Sequence, residues 1–265
     1  MRFTEFLKED KEEDKLKHLE HVEDHVIHAG HKGFGHAFHT INDVHNDLQG
    51  KGKSQTQTTI KYDGSPAVVF GKHPENGKFF VASKSAFNKD PKINHSHEDI
   101  DKNHGHAPGL VSKLKAALDH AHKIKPNGVY QADIMHAGDV KHDKANNRVD
   151  FTPQLITYHA PADSEHGKAA KRAKLGLAIH TEYEGKTIAD LKAKHGAIDS
   201  NSFSKHKDVH LMSANHDTST HRYSMEDRKQ VDHHLEQAVA HFKNTPKEHH
   251  DTVQKHATAL KTYVN

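Results

Sequence analysis

The 265-residue chain contains neither cysteine nor tryptophan. The first absence excludes disulfides, thiolate metal sites and a cysteine nucleophile, and it fits a reducing compartment. Apolar residues reach only 33% and aromatic ones 6%, so the core should be modest and the surface-to-core ratio high. Long apolar runs are missing too. No segment approaches the ~20 residues of a membrane span, and the stretch from Arg2 to Asp10 is charged almost at once, unlike a secretory signal. These features predict a soluble cytoplasmic protein with no membrane partner.

An excess of one charge is also lacking. With 38 basic against 36 acidic residues the net charge is +2, so any polyanion must be met by a local patch. What is abundant is histidine, at 31 residues. Partial protonation near its ordinary pKa of ~6.5 would make the protein strongly basic in mild acid.

Apolar periodicity divides the chain into three parts, with no internal repeat. Leu16, Leu19, Val22 and Val26 predict a helix over 8–28, and Phe34, Ala37, Phe38, Ile41, Val44 and Leu48 predict a second between Gly33 and Gly50. After the basic joint Gly50–Lys53 the pattern becomes strand-like, with runs at 58–62, 67–70 and 78–83. The last two flank Pro74-Glu75-Asn76-Gly77, where Asn-Gly suits a tight hairpin turn. Residues 88–107 read as irregular, 108–122 as a helix opened by Pro108, and 129–135 as a strand. Further strands are predicted at 149–159 and 176–183, around a Lys-rich helical stretch at 167–174. Beyond Gly185 the reading is helical, with an N-terminal cap at Ser224 and a last helix from Pro246 to about Tyr263. The expected organisation is an N-terminal helical segment over 1–53, a mixed core over 54–185 and a helical C-terminal appendage over 186–265. The fold class is α+β, with an antiparallel sheet.

One segment asks for a chemical reading. In Ile60-Lys61-Tyr62-Asp63-Gly64-Ser65 a lysine and an aspartate lie two apart, so on a strand both would face one side, and Gly64 allows a close backbone approach. A lysine amine attacks phosphorus only when neutral, which burial or nearby positive charge favours. The bland alternative is an exposed strand lysine paired with Asp63 before a turn.

Lys61-Tyr62-Asp63-Gly64 resembles the Lys-x-Asp-Gly signature of the ATP-dependent DNA and RNA ligases and mRNA capping enzymes, in which that lysine accepts AMP or GMP. The segment Phe80–Phe87 resembles the Ser/Lys/Arg-rich signature of the RNA ligases, with Lys84 as the basic residue. Gly128–Met135 is similar to the strand that ends in an acidic residue at the ribose and metal, with Asp133 in place of Glu and Ala132 in place of Gly. An aspartate in an otherwise apolar strand is costly unless paired or used.

For the aromatic that stacks on the purine the candidates are Tyr158 and, less well matched, His180. Two further signatures, a Glu-Gly strand and a Lys-x-Lys strand, find no match. Glu184-Gly185-Lys186 follows a strand rather than opening one, and Lys168, Lys171, Arg172 and Lys174 supply charge without the strand pattern.

The resemblance covers roughly 56–185 and implies an antiparallel-sheet nucleotidyltransferase core, ATP-grasp-like in class, with helical segments at both ends. It implies Lys61 as the adenylylated nucleophile, with Ile60, Asp63, Gly64, Lys84, Asp133 and Tyr158 at the nucleotide and Asp133 at the metal. ATP and Mg2+ or Mn2+ would be the cofactors. The partner would be RNA or DNA with a 5′-phosphate, sealed in nucleic-acid repair. The whole chain also looks like uncharacterised proteins of tailed bacteriophages, which would place it in the infected host cell.

Two rivals compete with this reading. One is a binding protein that keeps a degenerate ligase-like fold and grips nucleic acid or a partner without catalysis. The other is a His-rich metal-binding protein. His18, His21, His25 and His28 recur at helical spacing, His36 and His39 follow, and His95, His97, His104 and His106 form the best loop candidate.

Overall fold

A computed structural model describes residues 22, 24–51, 59–194, 198, 202–215 and 222–264. They form two compact units, one built from residues 24–51 and 222–264 and one from 59–215. The predicted helix over 8–28 lies outside the described residues except at its end.

The first unit is helical. Helix α1 (Asp24–Leu48) is broken at Gly30 (φ 53, ψ −124), α5 spans Met225–Asn244 and α6 spans Lys247–Val264. The predicted cap is present: Ser224 Oγ accepts the Asp227 amide at 3.0 Å. The apolar stripe of α1 meets α5 through Phe34 and Phe242, stacked at 3.8 Å, and His45 Nε2 bonds Asp232 Oδ1 at 2.8 Å. None of the residues of α5 is fully buried.

The second unit is the α+β core. Strands β1 (Ala67–Lys72), β2 (Phe79–Ala82), β3 (Val129–His136), β7 (Leu175–Glu184) and β8 (Lys192–Ala193) pair antiparallel in the order β2-β1-β3-β7-β8. Strand β9 (Val209–Ser213) joins β7 in parallel. A second, three-stranded antiparallel sheet holds β4 (Lys141–Asp143), β5 (Arg148–Phe151) and β6 (Tyr158–Pro161).

The period-two alternation splits the main sheet's side chains between two cores. Val68, Phe70, Val81, Tyr130, Ala132, Ile134, Leu175 and Leu177 pack with Leu114 and Ala117 of α3 (Pro108–His120) and Ile100 of α2 (His97–His104). Val69, Phe80, Ala82, Val129 and Tyr183 pack on the other side with Ile188 and Leu191. A third cluster joins Met135, Ala178 and Met212 to Phe151 of the small sheet and Ala170 of α4 (Glu165–Arg172).

Several expectations change. Residues 60–64 are not a strand: only Thr59 forms a bridge, to Asn215, and the Ile60 amide donates to Ala214 O at 2.7 Å. The run 149–159 is two strands, β5 and β6, separated by a loop whose base is tied by Thr152 and Thr157 hydroxyls at 2.8 Å. The stretch 88–107 contains α2, because Ser96 and Asp99 close a reciprocal capping box.

The β1–β2 connection is wider than a tight turn. Gly77 takes positive φ (69), while Asn76 instead accepts the Lys78 amide through its side chain at 3.0 Å. The region after 185 is not purely helical either. It supplies β8 and β9, so the boundary at 185 falls inside the sheet unit, and the two helical ends belong to one unit rather than two segments.

Candidate functional site

The segment around Lys61 reaches the sheet through Gly64. A Cβ there would overlap the Cβ of Asp133 and lie 2.8 Å from Met135 Sδ, so the approach to β3 requires glycine. Flanking bonds hold the register. The Ser65 amide donates to Ile134 O and the Ile134 amide to Pro66 O, each at 3.1 Å, and Lys113 Nζ of α3 donates to Ser65 O at 2.5 Å.

Asp133 is the one residue of β3 that is not buried. Opposite it β7 carries a bulge. Gln131 pairs with Thr181 and Ala132 with Ile179, so His180 has no partner in the ladder. The bulge brings His180 Nε2 to 3.6 Å from Asp133 Oδ1, while Nδ1 bonds Thr181 Oγ1 at 2.8 Å. Beside them Tyr183 donates to Gln131 Oε1 at 2.6 Å, a buried pair that extends the polar row along β3.

Tyr158 comes to the same segment from the small sheet. Its hydroxyl oxygen accepts the Asp63 amide at 2.8 Å. The ring stacks on Phe151 at 5.7 Å and tilts against Tyr62 at 5.8 Å. Burial, and then Tyr158, push the Tyr62 hydroxyl above its ordinary pKa.

Lys61 and Ile60 are exposed. Lys84 is exposed as well and opens a 3-10 turn capped by Ser83, just past β2. Ala82 pairs with Val69 of β1, and Ala67 of β1 pairs with Asp133. Register therefore puts Lys84 at the same end of the sheet as Asp133, without a direct bond between them. Gly64, Asp133, Asp63 and Tyr158 are thus brought together, with Lys61 on the exposed chain leading in.

A family's sequence profile matches residues 14–265, nearly the whole chain, and its description is a family of unknown function, DUF6267. The chain belongs to that family. No curated protein and no solved structure matches it.

In this DUF6267 chain two residues at the site, His180 and Lys113, have roles that the sequence pattern does not announce. The sequence offers His180 only as a stacking candidate, whereas its Nε2 lies 3.6 Å from Asp133; a bulge is not legible in an alternating run. Lys113 lies about fifty positions from Ser65 in sequence, on a helix face that periodicity assigns no chemistry. Away from this group, β8 sets Lys192 and Ala193 beside Glu184 and Tyr183. Lys194 Nζ pairs with Glu182 at 3.2 Å.

The loop histidines do not gather. His95 Nδ1 donates to Phe79 O at 2.8 Å and His97 Nε2 meets Asp119 at 2.8 Å, while His104 is buried. His18 and His21 lie outside the described residues. Among the described residues no three His, Asp or Glu side chains form a metal-binding group, and no helix is long and apolar enough to cross a membrane.

Proposed function

We propose that this protein is a nucleotidyltransferase that forms a covalent lysyl-AMP at Lys61 and passes the AMP to the 5′-phosphate of RNA or DNA. The observation that carries the reading is the contact of Gly64 with Asp133. Two segments some seventy residues apart in sequence, each resembling a ligase signature, touch at one end of the sheet. The Tyr158 bond to Asp63 and the register of Lys84 support the same grouping.

In the first step the neutral Lys61 amine attacks the α-phosphorus of ATP. A P–N bond forms, the α–β anhydride P–O bond breaks, pyrophosphate leaves, and the nitrogen loses a proton to water. In the second an oxygen of the 5′-phosphate attacks the same phosphorus, the P–N bond breaks and the lysine regains a proton. The exposure of Lys61 leaves room for a large second substrate.

Asp133 and the phosphates of the nucleotide fit a hard divalent cation, which commonly takes one or two carboxylates and completes its shell with phosphate oxygens and water. Bound there, magnesium or manganese would offset charge developing on the phosphates. The Asp133 Cβ packs on Gly64, and its carboxylate lies 3.6 Å from His180 Nε2.

The test is incubation with α-labelled ATP, or GTP, and magnesium, followed by denaturation. Label should stay on the wild type and be absent from Lys61→Ala, which should fold normally because Lys61 is exposed. An unlabelled wild type, or equal labelling of the variant, refutes the lysyl-AMP reading and leaves the non-catalytic binding protein. A stoichiometric metal content without labelling would favour the His-rich metal protein.

A further inference from the structure

Three histidines far apart in sequence form a continuous chain of ring-to-ring hydrogen bonds. His136, at the end of β3, and His210, on β9, are 2% and 1% exposed. His136 Nε2 lies 3.3 Å from His210 Nδ1, and His210 Nε2 lies 3.0 Å from Nδ1 of His166 on α4. The backbone is shaped for the first ring, since a Cβ on Gly176 of β7 would overlap the His136 imidazole. Phe151 of β5 covers the inner pair, 5.5 Å from His136 and 6.0 Å from His210.

The direction of the chain follows from its inner end. The Gly138 amide can only donate, and it points at His136 Nδ1 at 3.5 Å. His136 therefore carries its proton on Nε2 and donates to His210 Nδ1, and His210 in turn donates from Nε2 to His166 Nδ1. Every inner nitrogen is used once, as donor or acceptor, only while His136 and His210 are both neutral. An added proton on either ring removes an acceptor and leaves two N–H groups facing each other, or an N–H facing the Gly138 amide, in a site without water access.

We propose that His136, His210 and His166 form an acid-sensitive latch that fastens α4 and the β4–β6 sheet to the main sheet. Closed, it joins β3, β9 and α4 through three rings, with Phe151 of β5 packed on the inner two; protonated, the inner pair is driven toward solvent, and α4 with the small sheet lets go. The groups that act on the latch from its neighbours are few. Asp139, in the loop after β3, favours a proton on His136, and His166 disfavours one on His210. At the contacts described, β7 presents Gly176 and β5 presents Phe151, neither of which titrates. Asp208, two residues before His210, is held by Lys123 at 2.6 Å. Burial keeps both inner rings neutral well below the ordinary histidine range.

The latch also reaches the candidate site by packing. Phe151 stacks on Tyr158, whose hydroxyl holds the Asp63 amide. Release of the small sheet would free residues 61–64. This consequence for the site rests on the proposed function, whereas the latch itself does not.

Nitrogen-detected NMR of the full-length protein tests the protonation pattern directly. At pH 7.5 His136 and His210 should show the neutral Nε2–H tautomer. Amide exchange, corrected for its intrinsic pH dependence, tests release. Protection over residues 141–172 should fall by about tenfold per pH unit below 6.5 for each histidine freed, while β1 and the centre of β3 stay protected. His166→Ala, a change at an exposed position, should loosen α4 already at pH 7.5 because it leaves the His210 N–H unpaired. Inner rings that titrate near 6.5 in the folded protein, or protection of 141–172 that is independent of pH down to 4.5, would overturn the latch whatever the result of nucleotide labelling.

Discussion

The backbone amide of Asp63 donates a 2.8 Å hydrogen bond to the phenolic oxygen of Tyr158, 95 residues further along the chain. The bond ties an extended but unpaired segment to the small sheet, and through Gly64 the same segment is pressed against β3. Tyr158→Phe keeps the ring stack and removes the acceptor. It should cost about 0.5–1.5 kcal/mol in urea unfolding and lower the rate of lysine labelling more than its final extent.

Gly64→Ala should be worse tolerated than its size suggests. The added methyl meets Asp133 and Met135 in a strand paired on both sides, and overpacking of this kind costs about 1–3 kcal/mol. Gly109, in the first turn of α3, has open space where its Cβ would be, so Gly109→Ala should be neutral or stabilise by up to about 1 kcal/mol. Denaturant midpoints of the two variants measured side by side would check the contrast.

Stability should fall in mild acid because of His136 and His210. Burial lowers His136 to about 4, opposed by Asp139, and burial with His136 and His166 lowers His210 to about 3, both from 6.5. Below 6.5 the unfolded chain therefore binds more protons than the folded one. The stabilisation is complete above that value and is lost as pH falls toward 4 and 3. At pH 5 the loss should be about 2 kcal/mol for each ring relative to pH 8. Unfolding curves across this range should show it, and His136→Phe with His210→Phe should flatten the slope if the pair of variants folds.

Tyr183→Phe isolates a buried polar pair. The hydroxyl is the donor to Gln131 Oε1 at 2.6 Å, and its removal leaves a buried acceptor unmatched at a cost of about 1–3 kcal/mol. Tyr183→Phe combined with Gln131→Leu should recover part of that loss, because the unmatched oxygen goes with it. Thermal melts of the single and double variants would settle the sign.

Elements defined by local chemistry were legible in the chain. Short, largely apolar runs marked β1, β2 and β3, Pro108 marked the start of α3, and Ser224 marked the start of α5. The capping box that opens α2 was visible as Ser96 and Asp99 but was obscured by surrounding Asn, Pro and His, which read as loop. Strand β9 escaped because Val-His-Leu-Met-Ser is too short to announce itself, and it becomes a strand through parallel pairing with β7.

The candidate site divides in the same way. Lys61, Asp63 and Gly64 could be picked out as a lysine and an aspartate two apart before a glycine, and Asp133 as a charge in an otherwise apolar run, while their grouping as one site came from the resemblance to the ligase signatures. Whether Gly64 touches Asp133, that His180 turns toward that carboxylate at a bulge, and that Tyr158 holds the Asp63 amide depend on register and on the crossing of two sheets. The 31 histidines show the limit most clearly. Composition alone establishes that many imidazoles are present. Only the packing of β3, β9 and α4 selects His136, His210 and His166, because a hydrogen-bonded chain needs nitrogen atoms set about 3 Å apart by backbone that is remote in sequence.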